Sequence, residues 1–427
     1  MMANTCKDPN ECIGGYARVV STVRKLKSSL PNPIYLNVAD NFQGTFWYNK
    51  FRWNATQYFL DLEPADAMTI GNHEFDHGIE GLVPFLERIK SPVISCNINT
   101  THEPEFGKLF NKSMIIERNG RQIGIVGVTT TFPSGWGRAV VLPEVENVKK
   151  EVDNLVEKGI KIIIVLSHSG LEVDREIAKH GGDIDIIVGG HSHSFLYSGT
   201  PSIGPDTPVS DYPTIEEQEN GRKVLIVQAS AYAKYLGNIT LYFDEDGEIK
   251  NYEGAPIFLS HDIEQDTEVV EKLKPWKKEL DAIQNKYIGS IRHQLDAFCY
   301  RKECGMGNLV TDSMTLEIPG EGIREALEYS VSDAENLHVM QVSGIKVIYD
   351  MTRKPYDRIV DLKVLCQACE IPKYEDLKDT KIYKVVLAEY IYAGGDSYKM
   401  FPNMLKIQLK AQEMLMHLQI TFRNISN

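Results

Sequence analysis

Oxygen and imidazole side chains follow four apolar runs of the sequence, each at the point where the run ends. Continuous apolar runs are typical of parallel strands covered on both faces, and open α/β sheets bind ligands at the carboxyl ends of such strands. Asp40 or Asn72 taken alone could instead cap a helix or turn. Together the side chains predict a metal site at one sheet edge: Asp40 after IYLNVA, Asn72 after AMTIG, His168 after KIIIVLS, and His191 and His193 after DIDIIVGG.

A ligand set of carboxylate, amide and imidazole without thiolate suits zinc, manganese or iron, with magnesium or calcium as alternatives. An aspartate can bridge two such ions about 3.5–4 Å apart, and paired ions clamp the attacking and leaving oxygens of a phosphoryl displacement. The pattern therefore favours hydrolysis of a phosphate ester or anhydride.

His73 and Asp76 in the segment GNHEFD form a candidate acid–base pair. A carboxylate three residues away can orient the imidazole and favour its charged form. Such an imidazole stabilises charge on a phosphate or protonates a leaving oxygen. The alternative is that Asp76 only caps the next helix. Glu74 and His77 are expected to be solvated neighbours.

Composition limits the class of protein. The 427 residues predict two domains, and 42% apolar with 25% charged residues is typical of a globular chain. With 46 basic and 59 acidic side chains the net charge is −13, which argues against nucleic-acid binding through phosphate neutralisation. No apolar window is long enough to span a bilayer, and no signal-peptide core or anchor tail is visible. The oligomeric state is not indicated.

Six of the seven cysteines fall into close pairs, and five Asn-x-Ser/Thr sequons are present. Both features favour an oxidising, secretory compartment and a glycoprotein. A four-thiolate zinc site built from the second and third pairs is the alternative, but it would leave the sequons unexplained. Cys96 is expected to be a buried thiol. The pairs are Cys6/Cys12, Cys299/Cys304 and Cys366/Cys369, and the sequons begin at Asn54, Asn99, Asn111, Asn238 and Asn424.

The alternation of apolar runs and helical periodicity predicts a layered α/β domain over residues 1–260. A charged segment with helical periodicity, interrupted or kinked at Pro275, predicts an exposed connecting helix over 261–287. Further helix and strand patterns predict a smaller α/β domain over 288–427. The predicted fold class is thus α/β, with two domains of unequal size.

Seven motif-like segments follow one another along nearly the whole chain: NVADNFQGTFWY, GNHEFD, LSHSG, VGGHSHSFLYSG, VQASAYAKYLG, CYRKECGMGNLVTDSM and AGGDSYKMF. In type and order these segments resemble the 5'-nucleotidase/apyrase family of metallophosphoesterases. The fold that the resemblance implies is a metallophosphoesterase N-domain followed by a 5'-nucleotidase C-terminal substrate-binding domain.

The resemblance also implies roles for individual residues. Asp40 would bridge two divalent ions, with zinc expected before manganese, magnesium or calcium. Asn72, His168 and His191 would complete one ion site, and His193 would lie at the other. His73 and Asp76 would form the catalytic dyad. In the C-terminal domain Arg301 would bind phosphate, Tyr390 would stack on the base and Asp396 would bind the ribose. The three close cysteine pairs match the family's disulfides.

Two departures from the family pattern concern the ions and the substrate. The family's opening strand carries Asp-x-His, two ligands of the first ion, and the sequence starts after it, so that site is expected to be weakened. An internal segment of the C-terminal domain with a phosphate-binding motif is also expected to be missing after Met314, with GEGIR at 320–324 starting a later helix.

The expected function is a metal-dependent 5'-nucleotidase acting on extracellular nucleoside monophosphates, converting AMP to adenosine and phosphate. An apyrase cleaving ATP and ADP shares the catalytic motifs. A secreted nucleotide-binding protein with impaired turnover, and a cyclic-nucleotide phosphodiesterase on the same scaffold, are further alternatives. The sequence does not separate AMP from ADP or ATP as substrate.

Overall fold

The structure is a computed structural model that describes residues 11–131, 138–200, 202–284, 286–287, 295–296, 304–306, 316–332, 340–366, 369, 372–392 and 394–401. The chain divides into two compact units, Met1–Gln284 and Asn285–Asn427. The boundaries drawn from sequence at 260 and 287 stay a prediction.

A six-stranded sheet forms the centre of the first unit. Its strands are β4 (Ser113–Arg118), β5 (Arg121–Thr129), β7 (Ile162–His168), β8 (Ile186–Gly189), β9 (Thr214–Glu217) and β10 (Lys223–Val227). Four strands run parallel in the order β5-β7-β8-β10, and β4 and β9 pair antiparallel at the two edges of the sheet. All seven residues of β7 are buried, which is why this segment is a continuous apolar run.

A short parallel pair, β1 (Leu36–Asn37) and β2 (Ala67–Met68), supplies two more strand ends. The apolar run PVIS does not form a regular strand: Val93 and Ile94 make isolated bridges to Met68 and Asn111. The remaining strands of this unit form short antiparallel pairs: β3 (Ile98–Asn99) with β6 (Val140–Val141), β11 (Tyr235–Leu236) with β14 (Ile257–Phe258), and β12 (Thr240–Phe243) with β13 (Ile249–Glu253).

The helices of the first unit are α1 (Tyr16–Ser29), α2 (Phe46–Phe51), α3 (Trp53–Leu60), α4 (Gly78–Leu86), α5 (Glu144–Glu157), α6 (Leu171–His180) and α7 (Thr267–Gln284). Val148, Val152 and Leu155 of α5 share a buried apolar cluster with the central sheet. Val20 of α1 and Val269 of α7 belong to another cluster, so α7 packs against α1 although most of its residues are exposed. Pro275 lies inside α7 without ending it.

The second unit contains α8 (Gly320–Ser330), α9 (Glu389–Tyr392) and two small antiparallel sheets. As predicted, GEGIR begins a helix, and Ile323 and Leu327 of α8 are buried. The apolar segment KIYKVVLAEY forms a strand only over Ile382–Val385, and its last two residues begin α9. The sheets are β15 (Leu316–Pro319) with β19 (Ile382–Val385), and β16 (Ile345–Tyr349), β17 (Ile359–Cys366) and β18 (Lys373–Asp376).

The described cysteines agree with disulfides rather than zinc. Cys366 and Cys369 are bonded to each other, which leaves no thiolate there for a metal. Cys12 and Cys304 are also disulfide-bonded. Their expected partners, Cys6 and Cys299, lie outside the described residues. Cys96 is a buried free thiol, as predicted.

Among the described residues, no helix combines the length and apolar character that a bilayer crossing requires.

Candidate metal centre and catalytic dyad

The loops after β1, β2 and β8 bring Asp40, Asn72 and His191 together with His168, the last residue of β7. The Asp40 Oδ2–His168 Nε2 distance is 3.0 Å. Asn72 Oδ1 lies 3.3 Å from His168 Nε2 and 2.9 Å from His191 Nδ1. The ligand atoms of Asp40, His168 and His191 all lie within 4.8 Å of one another. Four residues that are distant in sequence therefore face one small volume.

A hydrogen bond to the backbone orients His168, and Asp40 has a strained backbone conformation. His168 Nδ1 donates to the carbonyl oxygen of Val38 over 2.6 Å, which turns Nε2 toward Asp40. The side chain of His168 is only 2% exposed. Asp40 has a left-handed backbone, with φ 51°. Non-glycine residues in this region cost about 1–3 kcal/mol and cluster at functional sites.

The donor atoms of the cluster are of the kinds that bind a cation. Burial disfavours the charged forms of both partners, but the hydrogen bond between Asp40 and His168 lowers the pKa of the carboxyl and raises that of the imidazole. Burial and the neighbouring His168 lower the pKa of His191. Divalent ions such as zinc and manganese accept carboxylate, amide oxygen and imidazole ligands. These groups point at one another in the cluster. The cluster therefore fits such an ion.

His193, predicted at a second ion, does not join this cluster. Its ring packs edge-on against Tyr232, with centroids 5.6 Å apart, and lines a cavity of about 290 Å³. Among the described residues, His193 belongs to no group of three candidate ligands within 4.8 Å. Its assignment to an ion stays a prediction.

His73 and Asp76 form the expected pair in the turn between β2 and α4. His73 Nδ1 lies 2.8 Å from Asp76 Oδ2, and this hydrogen bond raises the pKa of the imidazole to about 9. The side chain of His73 is 46% exposed, so a substrate can reach it. The N-cap residue of α4 is His77, not Asp76, so the capping alternative is not realised. The His73 N–H donates to Asp40 Oδ1 over 3.0 Å and joins the dyad to the metal cluster.

The prediction that Glu74 is a solvated neighbour of His73 is wrong. It is 1% exposed, and its carboxylate accepts hydrogen bonds from four backbone N–H groups. Oε2 accepts from Gly71 at 2.8 Å and Asp40 at 3.0 Å, and Oε1 accepts from Asn41 at 2.7 Å and Phe42 at 3.3 Å. Glu74 thus ties the loop of Asp40 to the loop of Asn72 and His73. Its place beside His73 gave no sign of this role, because three of its four partners come from another segment.

Gly71 allows the same two loops to approach each other. A Cβ at this position would lie 2.9 Å from both the Asp40 nitrogen and Glu74 Oε2. Real Cβ atoms do not come this close to such atoms. The glycine of GNHEFD is therefore required by packing against Asp40.

Replacing Glu74 by glutamine is expected to lower the free energy of unfolding of the first unit by about 2 kcal/mol, since hydrogen bonds to charged groups contribute about 1.5–3 kcal/mol each. All four tryptophans of the chain precede residue 285, so tryptophan fluorescence in a urea titration monitors this unit. Zinc affinity, measured by competition with a chromophoric chelator, is expected to fall as well.

Glu328→Gln is the matched control for this prediction. Glu328 of the second unit also accepts two backbone N–H groups, from Arg358 at 2.9 Å and Ile359 at 2.8 Å. The Glu328→Gln variant should leave the urea-induced fluorescence transition and the zinc affinity unchanged. A Glu74→Gln chain with wild-type stability and zinc affinity would contradict the positioning role of Glu74.

The predicted substrate residues lie in the second unit. Arg301 is outside the described residues. Tyr390 lies in α9, where only its backbone is described. Asp396 is exposed, with a left-handed φ of 47°, and its carbonyl oxygen accepts a hydrogen bond from the Tyr329 hydroxyl at 2.9 Å. Their roles toward a nucleotide stay predictions.

Comparison with known proteins first defines the class of protein. Residues 8–195 match the calcineurin-like phosphoesterase family, and residues 312–403 match the 5'-nucleotidase C-terminal domain. A solved 5'-nucleotidase precursor from Thermus thermophilus has a TM-score of 0.82 and 27% identity, covering 97% of this chain and 92% of its own. The predicted succession of a metallophosphoesterase-type domain and a smaller α/β domain is confirmed.

Sequence relatives then define the family. An apyrase from Tabanus yao is 40% identical, over 93% of this chain and 83% of its own length. A 5'-nucleotidase from Rattus norvegicus is 33% identical, over 94% of this chain and 81% of its own length. The chain therefore belongs to the 5'-nucleotidase and apyrase family of metallophosphoesterases, hydrolases that act on phosphoric esters of nucleotides. Membership implies a divalent metal, for which the cluster around Asp40 offers suitable donors.

Proposed function

We propose that this chain is a divalent-metal-dependent 5'-nucleotidase that hydrolyses extracellular AMP to adenosine and phosphate. The observation that carries the proposal is the meeting of Asp40, Asn72, His168 and His191 beside the hydrogen-bonded pair of His73 and Asp76. This arrangement combines donors for a cation with a proton-bearing imidazole at the ends of strands from two sheets, as hydrolysis of a phosphate ester requires.

The residues around Asp40 would hold a divalent ion, with zinc proposed first because two imidazoles and a carboxylate suit it. When bound, the ion supplies Lewis-acid stabilisation of charge on the phosphate. His193 is proposed to contribute to a second, weaker ion site. The backbone contacts of Glu74 keep the candidate ligand loops together before substrate arrives.

His73 is proposed to act on the leaving group. Asp76 orients its imidazole and favours the charged form, so a proton is available on the side exposed to substrate. In hydrolysis a water oxygen bonds to phosphorus, the bond from phosphorus to the ribose oxygen breaks, and His73 donates the proton that this oxygen takes up. Arg301, Tyr390 and Asp396 are proposed to bind the phosphate, base and ribose.

The test is phosphate release by the purified full chain supplied with zinc, with AMP and ADP as parallel substrates and a chelator control. We expect turnover of AMP that is lost on metal removal and restored by added zinc. Turnover of ADP without AMP would replace the proposal by an apyrase. Nucleotide binding without phosphate release would indicate a catalytically impaired binding protein.

An apyrase that cleaves ATP and ADP is the second candidate, because the 40% identical relative from Tabanus yao is named an apyrase. The candidate metal ligands and the dyad serve either substrate, since both reactions cleave a phosphorus–oxygen bond. The two activities differ in the leaving group, which is an alcohol for AMP and a phosphate for ADP. The substrate comparison above therefore decides between them.

The extracellular location is part of the proposal. It is supported by the disulfide between Cys366 and Cys369, since structural disulfides belong to oxidising compartments. The sequon residues Asn54, Asn99 and Asn111 are exposed and accessible to a glycan. Native protein recovered inside cells, with free thiols at Cys366 and Cys369, would contradict this location.

A further inference from the structure

The loop over residues 190–194 carries both His191 and His193 in a strained backbone. Both histidines have left-handed conformations, with φ 68° and 53°. Two such residues in one short loop persist only where surrounding contacts determine the conformation. The loop must therefore be held by groups outside it.

The side-chain amide of Gln228 is hydrogen-bonded to this loop at three positions. Gln228 follows the last residue of β10 and is 3% exposed. Its Oε1 accepts from the Ser194 N–H at 2.5 Å and from the Ser192 hydroxyl at 3.1 Å. Its Nε2 donates to the carbonyl oxygen of Gly190 at 3.2 Å. One buried amide thus contacts the loop before His191, between the two histidines and after His193.

Ser192 extends these contacts to the loop after His168. The Leu171 N–H, at the first residue of α6, donates to the Ser192 hydroxyl oxygen over 3.0 Å. Leu171 is three residues from His168, so the turn that follows this candidate ligand is joined to the loop that carries the next one. Gln228, Ser192 and Leu171 together connect the ends of β10, β8 and β7.

We propose that Gln228 is a positioning residue that sets metal affinity by holding His191 and His193 in their strained loop. This rests on the proposed function only in taking the cluster of Asp40, His168 and His191 as the ion site. The Gln228 amide fills both acceptor and donor needs of the loop backbone, which an apolar side chain of equal length cannot do.

The test compares Gln228→Met with Gln218→Met in the full chain. Gln218 is a buried glutamine at 9% exposure whose Nε2 donates to the carbonyl oxygens of Ala178 and Gly182 at 2.8 Å each, away from the cluster. We expect Gln228→Met to weaken zinc binding by about 10–100-fold, the range seen when residues that orient metal ligands are lost. Gln218→Met should bind zinc as the wild type does. Equal affinity for all three chains, or equal weakening in both variants, would overturn the proposal.

Ser192→Ala provides a second, smaller change in case Gln228→Met does not fold. It removes a hydroxyl that contacts both Gln228 and Leu171, and we expect zinc binding several-fold weaker than wild type. Because the two residues share a contact, the double variant should lose less than the sum of the single losses in binding free energy. Wild-type zinc affinity in Ser192→Ala, or strictly additive losses, would argue against a shared positioning network.

The zinc readout separates this inference from the proposed function. A wild-type chain that binds zinc but releases no phosphate overturns the nucleotidase proposal and leaves the comparison of Gln228 with Gln218 intact. A wild-type chain that hydrolyses AMP while Gln228→Met keeps full zinc affinity overturns the positioning role alone.

Discussion

Replacing Asp40 by asparagine is expected to weaken zinc binding by more than about 100-fold and to remove phosphate release at stoichiometric zinc. Loss of a residue that only orients a ligand costs about 10–100-fold in affinity, and Asp40 is proposed as a direct ligand. Asparagine keeps the size of the side chain and an oxygen for the His73 N–H, so the change removes charge more than contacts. Chelator competition gives the affinity, and a phosphate assay gives the turnover.

Asp66→Asn is the matched control. Asp66 is also half-buried, and its carboxylate accepts from the Tyr35 N–H at 2.8 Å and from Arg118 at 2.7 Å. Asp66 precedes β2, whereas Asn72 follows it, so the two side chains lie beyond opposite ends of this strand. Loss of the Asp66 charge should therefore lower the stability of the fold and leave zinc binding unchanged. Unaltered zinc affinity in Asp40→Asn would contradict the proposal that Asp40 is a ligand of the ion.

Replacing His73 by alanine is expected to lower kcat by about 10²–10⁴-fold, the contribution of a positioned general acid or base. Zinc affinity should remain within a few-fold of wild type, because the backbone N–H of residue 73 still donates to Asp40. KM should change little, since the imidazole is proposed to act on the breaking bond. Steady-state kinetics with saturating zinc separate kcat from KM.

Two further variants sharpen the His73 prediction. His261→Ala removes another exposed histidine with a carboxylate neighbour, Asp262 Oδ1 at 3.1 Å from His261 Nε2, and should leave kcat unchanged. Asp76→Asn retains the imidazole but loses the charge that favours its protonated form, so an intermediate loss in kcat is expected. If His73→Ala retains wild-type kcat for AMP, proton donation by this residue is ruled out.

The sequence was most informative where the signal is local. Apolar runs predict strands because a strand that is buried on both faces needs apolar side chains at consecutive positions. In β7 all seven residues are buried. His73 and Asp76 were predictable as a pair because three residues of one turn separate them. The order of the motifs along the chain predicted the family, and the comparisons with known proteins confirm it.

Prediction was weakest where a side chain serves the backbone of another segment. Glu74 was expected in solvent, yet its carboxylate collects N–H groups from residues more than 30 positions earlier. Gln228 gave no signal either, because its partners lie 34 to 38 residues away on another loop. A buried polar residue is recognisable as such only when its partners are known.

The sequence alone determined which donors the protein can offer and in which order they follow its strands. Only the tertiary structure decided that Asp40, His168 and His191 face one point, that His193 turns to Tyr232, and that Glu74 is buried. The reason is that side-chain chemistry is a property of each residue, whereas the direction of a ligand atom depends on long-range contacts. The hydrogen bond that orients His168 toward Asp40 is accepted by the carbonyl oxygen of Val38, 130 residues earlier in the chain.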